Sequence, residues 1–105
     1  RGLGGSSAIN AMIYIRGNRW DYDNWAALGC TGWSYEDVLP YFKKSEKNVR
    51  GADAYHGAEG PLWVSDQRWP NRGSLAFVEA ATQLQLPRNR DFNGARQEGV
   101  GYYQT

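Results

Sequence analysis

Three of the first five residues are glycine, and two serines follow directly: Arg1-Gly2-Leu3-Gly4-Gly5-Ser6-Ser7. Gly2, Gly4 and Gly5 leave the backbone free to take positive φ and to come close to another group, so the chain must open on a turn or loop. Ser6 and Ser7 offer N-cap oxygens ahead of Ala8-Ile9-Asn10-Ala11-Met12, where a short helix is expected. Ile13-Tyr14-Ile15 is β-prone, and Gly17 closes the unit. Backbone N–H groups at such a turn, with no Cβ in the way, can take an anionic or carbonyl-rich ligand, and serine hydroxyls add adaptable bonds. Alone, this pattern also fits ordinary turns and caps. No lysine follows the glycines, as a Walker loop requires, and the chain has no strand before them, as the dinucleotide fingerprint requires.

Beyond this unit the sequence reads as alternating short elements. Asn18 can cap a helix of about nine residues carrying Tyr22, Trp25 and Ala26 at helical spacing, with Asp21 in its first turn and Gly29 just past its end. Ser34 opens a second helix with a capping-box-like Ser-Tyr-Glu-Asp; Val38, Leu39 and Phe42 form its apolar stripe and Pro40 lies inside it. The basic stretch from Lys43 to Arg50 reads as a solvated helix end, and 48–59 as a polar loop. Pro61-Leu62-Trp63-Val64-Ser65 reads as a strand with proline at its first position. After a loop over 67–73, Leu75, Phe77, Val78, Ala81 and Leu84 mark a third helix, capped by Ser74 or begun slightly earlier and stopped by Pro87. The tail from Arg88 to Thr105 is rich in Gly and Asn. The class is α+β, or an excerpt of an α/β fold: short helices, one or two strands and long loops.

Composition narrows the function. Twelve basic and eleven acidic residues leave a net charge of +1, so no electrostatic footprint for nucleic acid is present. The single cysteine, Cys30, excludes an internal disulfide, is compatible with a reducing compartment, and reads as a small buried residue. No apolar run approaches the roughly 20 residues of a membrane helix. The expected location is cytoplasmic, with membrane association the alternative. Five Trp, seven Tyr and three Phe supply aromatics with polar tips, suited to interfaces as well as cores.

The larger pattern is more specific than any of these. From Arg1 to Asp23 the chain resembles the first signature of the glucose–methanol–choline (GMC) oxidoreductases, with Leu3, Gly4, Gly5, Ser6, Ser7, Ile9, Asn10, Tyr14, Gly17 and Asp23 matching in type and spacing. The resemblance continues through Trp20-Asp21-Tyr22-Asp23-Asn24-Trp25, Gly32-Trp33-Ser34-Tyr35, Leu39 to Glu46, Tyr55-His56-Gly57, Gly60-Pro61 and Asp91-Phe92-Asn93-Gly94 to Glu98-Gly99, and is greatest to choline-dehydrogenase-type members.

The resemblance implies an excerpt of a GMC-type FAD-binding fold. Family members are large flavoproteins that move a hydride from an alcohol carbon to FAD. Residues 1–17 then correspond to the flavin-contacting loop and short helix, 18–50 to two helices, and 51–105 to a strand, helix and loop leading toward the substrate domain. The backbone at Gly4, Gly5 and Ser6 is expected to contact FAD, with Asn10, Ala11 and Ile13 against the flavin end. Some relatives bond a histidine in this loop to the flavin; that place falls at Ile9, which has no nucleophile, so FAD is expected to bind non-covalently. The family's N-terminal glycine fingerprint and C-terminal catalytic histidine are not in this chain, so no catalytic residue and no metal ligand is assigned. The chain is thus expected to be an inactive fragment whose partners are the remainder of the flavoenzyme and a small alcohol, choline or another primary alcohol.

Other residues carry simpler expectations. His56, in the Tyr-His-Gly motif, is structural. Trp20, Trp25 and Trp33 pack helices rather than cage a cation. Arg16 and Arg19 are surface or ion-paired, for example with Asp21 or Asp23. Asn10 stands out as a helix-interior asparagine, which requires a reason. Tyr102 and Tyr103 pack onto sequence outside the chain. Two rival readings are a non-redox member of hydroxynitrile-lyase type, which retains FAD, and a stand-alone aromatic module binding, for instance, carbohydrate. The scatter of the aromatics among helical stripes and the continuous resemblance argue against the second.

Overall fold

The computed structural model describes all of residues 1–105. Its elements are a 3-10 turn at Gly5–Ala8, helix α1 at Arg19–Ala27, helix α2 at Tyr35–Ser45, strands β1 at Glu46–Asn48 and β2 at Leu62–Val64, and helix α3 at Arg72–Gln83. No helix is long and apolar enough to cross a membrane.

Both expected capping signals operate. At α1, the Asn18 side chain accepts from Trp20 N at 2.9 Å while Asp21 Oδ2 accepts from Asn18 N at 2.8 Å. At α2, Ser34 and Asp37 make the same reciprocal arrangement, so aspartate serves where glutamate is more usual. Pro40 sits within α2 and has no N–H to donate to the Glu36 carbonyl one turn back. Helix α3 begins earlier than Ser74: Asn71 is its cap, its Oδ1 accepting from Gly73 N at 2.7 Å. It ends ahead of Gln85, a left-handed residue at φ 65, so the turn has already broken before Pro87.

The strand β1 lies inside the stretch read as a solvated helix end. It pairs in parallel with β2, Glu46 opposite Leu62 and Asn48 opposite Val64. A parallel pair needs a connection that crosses back, and residues 49–61 supply it. Two glycines set how closely that connection packs: a Cβ at Gly57 would lie 1.8 Å from the Lys43 carbonyl oxygen, and one at Gly60 2.2 Å from the Ser45 carbonyl carbon.

Only 14 of the 105 residues are buried. One small cluster joins α3 to the tail through Val78, Ala81 and Val100, with Tyr102 packed on it. Tyr102 therefore packs within the chain, contrary to the expectation from sequence, because the tail folds back along α3. Tyr103 lies against Phe92, ring centroids 4.8 Å apart. A second, aromatic cluster joins α1 to α2: Tyr22 meets Trp25 at 5.5 Å and Phe42 at 5.8 Å, and Trp25 meets Trp33 at 5.9 Å. Trp25 and Trp33 thus touch each other and α1 while remaining about half exposed, at 45% and 52%, and Trp20 is 68% exposed. Cys30 is exposed, not buried; it follows the last turn of α1, where nothing in this thinly covered chain lies over it.

The radius of gyration is 16.0 Å, against roughly 13 Å for a self-contained domain of this length. Large apolar side chains stand open on several faces, Leu3, Ile9, Leu28, Trp69 and Leu84 among them.

Candidate functional site

The glycine-led loop takes an open, left-handed path. Gly4 and Gly5 adopt φ of 90° and 58°, and the 3-10 turn Gly5–Ala8 follows at once. The helix expected over residues 8–12 does not form. Its hydrogen bonds are replaced by local ones: Ile9 N and Asn10 N both donate to Ser6 O, at 3.2 and 3.0 Å, and Ser7 Oγ donates to Gly4 O. Ser6 and Ser7 therefore lie inside the turn rather than capping a later helix, and the Ser6 amide takes no acceptor within the chain. Asn10 is not helix-interior. Its Oδ1 accepts from Met12 N at 2.9 Å, which supports Met12 at φ 54, a conformation uncommon for a residue with a side chain.

The six residues expected to contact a cofactor, Gly4, Gly5, Ser6, Asn10, Ala11 and Ile13, share this one exposed loop. Beside them Leu3, Ile9 and Met12 project apolar side chains outward. The surface offers free backbone amides next to apolar groups, a combination that suits a flat ring system with polar edges. A Cβ at Gly5 would meet nothing within 4 Å, so within this chain only its backbone conformation calls for glycine there.

The loop is followed by an extended segment, Tyr14–Gly17, held mainly by side chains in place of a neighbouring strand. Tyr14 N donates to Gln104 O at 2.8 Å, the single bridge formed by the β-prone stretch. Asn93 takes both sides of the next peptides: its Nδ2 donates to Tyr14 O at 3.2 Å and its Oδ1 accepts from Arg16 N at 2.8 Å. Gln97 Nε2 donates to Arg16 O at 2.9 Å, and Gly17 N donates to the Tyr22 hydroxyl at 3.0 Å. A Cβ at Gly17 would stand 2.8 Å from that hydroxyl oxygen, which explains the glycine.

Arg16 is buried, and its partner is neither Asp21 nor Asp23. Its guanidinium reaches Glu46 Oε2 at 2.7 Å, Tyr55 O at 2.8 Å and the Tyr14 hydroxyl at 3.3 Å. Asp21 instead accepts from Asn18 N at the α1 cap, and Asp23 accepts from Tyr35 N at 2.9 Å. Arg19 is ion-paired on the surface with Glu36 at 2.7 Å and lies over the Tyr35 ring.

Glu46 is the centre of this polar cluster and is fully buried. Besides Arg16 it accepts from Gly57 N at 3.1 Å, from Asn48 Nδ2 at 2.9 Å and from His56 Nδ1 at 2.9 Å. His56 Nε2 faces Asp91 Oδ2 at 2.8 Å. A carboxylate can only accept, so both ring nitrogens carry hydrogen and His56 is an imidazolium. The hydrogen bond to Asp91, reinforced by that to Glu46, holds its pKa above the ordinary 6.5 despite burial. Burial pushes Asp91 up, but the His56 bond, the Asn93 amide and nearby positive charge outweigh it and hold the carboxyl below 3.8. Two cations, Arg16 and His56, thus balance two anions, Glu46 and Asp91. Buried charges persist only when paired and hydrogen-bonded in this way. Asn48 and Gln104 extend the network, exchanging bonds of 2.9 and 3.2 Å.

His56 is structural, as the sequence led us to expect, but Glu46, Asn48, Asn93 and Gln104 were not foreseen. A signal existed for one of them, Asn93. Asp91-Phe92-Asn93-Gly94 carries an Asx turn in which Asn93 N donates to Asp91 Oδ1 at 3.0 Å.

The pattern that defines the GMC oxidoreductases matches residues 1–105. The chain belongs to the GMC oxidoreductase family. As a GMC sequence it is 53% identical over 104 residues to an oxygen-dependent choline dehydrogenase of Paraburkholderia phytofirmans, covering 96% of this chain and 18% of that protein. The fold is similar to that of pyridoxine 4-oxidase from Mesorbium loti, with a TM-score of 0.85 and 33% identity over 94% of this chain and 20% of that one. It is also similar to an FAD-dependent oxidoreductase from Chaetomium thermophilum, with a TM-score of 0.82 and 34% identity over 95% of this chain and 19% of that one. The GMC chain described here therefore spans about a fifth of the length of the relatives it matches. Its open shape and bare apolar faces are those of one portion of a larger body.

Proposed function

We propose that this chain is the cofactor-contacting segment of an FAD-dependent enzyme that oxidises the CH–OH group of an alcohol, choline or another primary alcohol. The observation that carries the reading is the Gly4–Gly5 turn, left-handed and fully open, in a chain that matches the GMC pattern from end to end. In this reading the Gly4, Gly5 and Ser6 backbone lies along FAD, and Asn10, Ala11 and Ile13 lie against its flavin end. The residues fit such a group. The Ser6 amide is unengaged, Asn10 Nδ2 has no partner, and Ile13 is half exposed beside them. Ile9 carries no nucleophile, so the cofactor is held without a covalent bond. FAD, when bound, supplies the hydride acceptor. The chain's own part is to present amides and an apolar surface, while 51–105 leads toward the substrate domain. The choline-dehydrogenase relatives supply the substrate class.

The test is made on the full-length enzyme containing this segment. Anaerobic addition of choline or a short primary alcohol should bleach the flavin absorbance near 450 nm. Gly5→Leu and Asn10→Leu should lower the flavin-to-protein ratio. Unchanged flavin content in both variants would remove the site assignment, and no bleaching with any primary alcohol would remove the activity.

A further inference from the structure

The loop of residues 1–13 makes only local hydrogen bonds: Gly5 to Gly2, Ile9 and Asn10 to Ser6, Ser7 to Gly4 and Met12 to Asn10. None of its residues is buried. Within this chain, then, its position is set by where the segment after it is pinned. That segment has no paired strand, and the side-chain amide of Asn93 does what a neighbouring strand would do, giving one bond to Tyr14 O and taking one from Arg16 N. Asn93 is 7% exposed, and its backbone N–H donates to Asp91 Oδ1 at 3.0 Å, which fixes the peptide that carries the side chain.

We infer that Asn93 is a positioning residue for the cofactor loop, holding it at the height and angle at which it meets FAD; this rests on the flavin-loop reading above. Asn93 reaches no residue of the loop itself, and it acts through Tyr14 and Arg16. Only an amide supplies one donor and one acceptor in a single plane at this length. Leucine, of similar volume, supplies neither. Aspartate retains the acceptor for Arg16 N and loses the donor to Tyr14 O.

The test uses the full-length flavoprotein, with the FAD dissociation constant and amide hydrogen exchange as readouts. Asn93→Leu should raise the FAD dissociation constant about tenfold, equivalent to about 1.4 kcal/mol, and should speed exchange at Ser6–Ile13 at least fivefold. Exchange in α2 should remain within twofold. Asn93→Asp, nearly isosteric and expected to fold, should shift both readouts in the same direction by less. If α2 exchange rises in step with the loop in Asn93→Asp, the residue is a general stabiliser and the inference is overturned. An unchanged FAD constant in Asn93→Asp and Asn93→Leu overturns it as well. Gly5→Leu separates the two claims. If Gly5→Leu weakens FAD and the Asn93 variants do not, the positioning role alone fails. If Gly5→Leu has no effect, the loop reading fails and carries the inference with it.

Discussion

Nε2 of His56 lies 2.8 Å from Oδ2 of Asp91, joining residues 35 positions apart in the sequence. With Glu46 on the other ring nitrogen, this makes the imidazolium a cross-link between the end of α2 and the tail. The pH dependence follows from the directions of the shifts. A pKa raised in the folded state means that the His56 contribution is complete below 6.5 and is lost as pH rises through the folded value. The lowered Asp91 value means that its contribution is complete above 3.8 and is lost as pH falls through the folded value. The melting temperature of the full-length enzyme should therefore decline as pH rises above 6.5, and His56→Gln should flatten that decline. A wild-type profile that rises between pH 6.5 and pH 9 would contradict the assignment.

Glu46→Ala removes the one acceptor that faces both buried cations. Breaking a buried pair from one side costs about 3–5 kcal/mol, because the remaining charge is left uncompensated. Arg16→Met combined with Glu46→Leu should recover a substantial part of that loss. Urea denaturation midpoints of the single and double variants check the coupling; additive losses would show that the pair is not a unit.

Gly57→Ala should destabilise by about 3 kcal/mol or more, at or beyond the usual range for overpacking. A methyl group there would collide with the Lys43 carbonyl oxygen, which is backbone and cannot rotate away. Thermal melts of Gly57→Ala and of Gly51→Ala make the comparison. Gly51 at φ 94 faces open space, so its cost is limited to backbone strain, about 1–2 kcal/mol. Equal losses at the two sites would refute the steric account.

Acid precipitation of the full-length enzyme should leave the yellow flavin in the supernatant, since Ile9 offers no covalent attachment. Flavin fluorescence that follows the polypeptide on a denaturing gel would overturn this. The isolated segment of 105 residues should retain no FAD after gel filtration, because the loop proposed to contact it is exposed throughout and would cover one side of the cofactor; stoichiometric retention would contradict that expectation.

Much of the fold was legible from local chemistry. Asn18 with Asp21 and Ser34 with Asp37 announced α1 and α2, because capping depends on residues three apart. The loop path was legible at Gly4 and Gly5 and misread at Ala8–Met12, where Asn10 supports a left-handed Met12 instead of a helical turn. Arg16, Glu46 and Asn93 were misread or missed because burial of polar groups is decided by partners 30 and 77 positions away. Glu46 sits in a lysine-rich stretch whose local composition reads as solvated. Cys30 failed for the opposite reason: a residue type that is usually buried needs a neighbour to cover it, and the end of α1 has none in this chain.

The side chains that pin Tyr14–Gly17 have a consequence for biosynthesis. Asn93 and Gln97 are 77 and 81 residues downstream of the backbone they hold. At about 5–20 residues per second on the ribosome, roughly 4–16 s separate synthesis of this segment from synthesis of these two side-chain anchors. The glycine-led loop is among the first parts of this chain to leave the exit tunnel and among the last to be placed. A nascent chain paused before residue 93 would carry the loop without its Asn93 and Gln97 anchors.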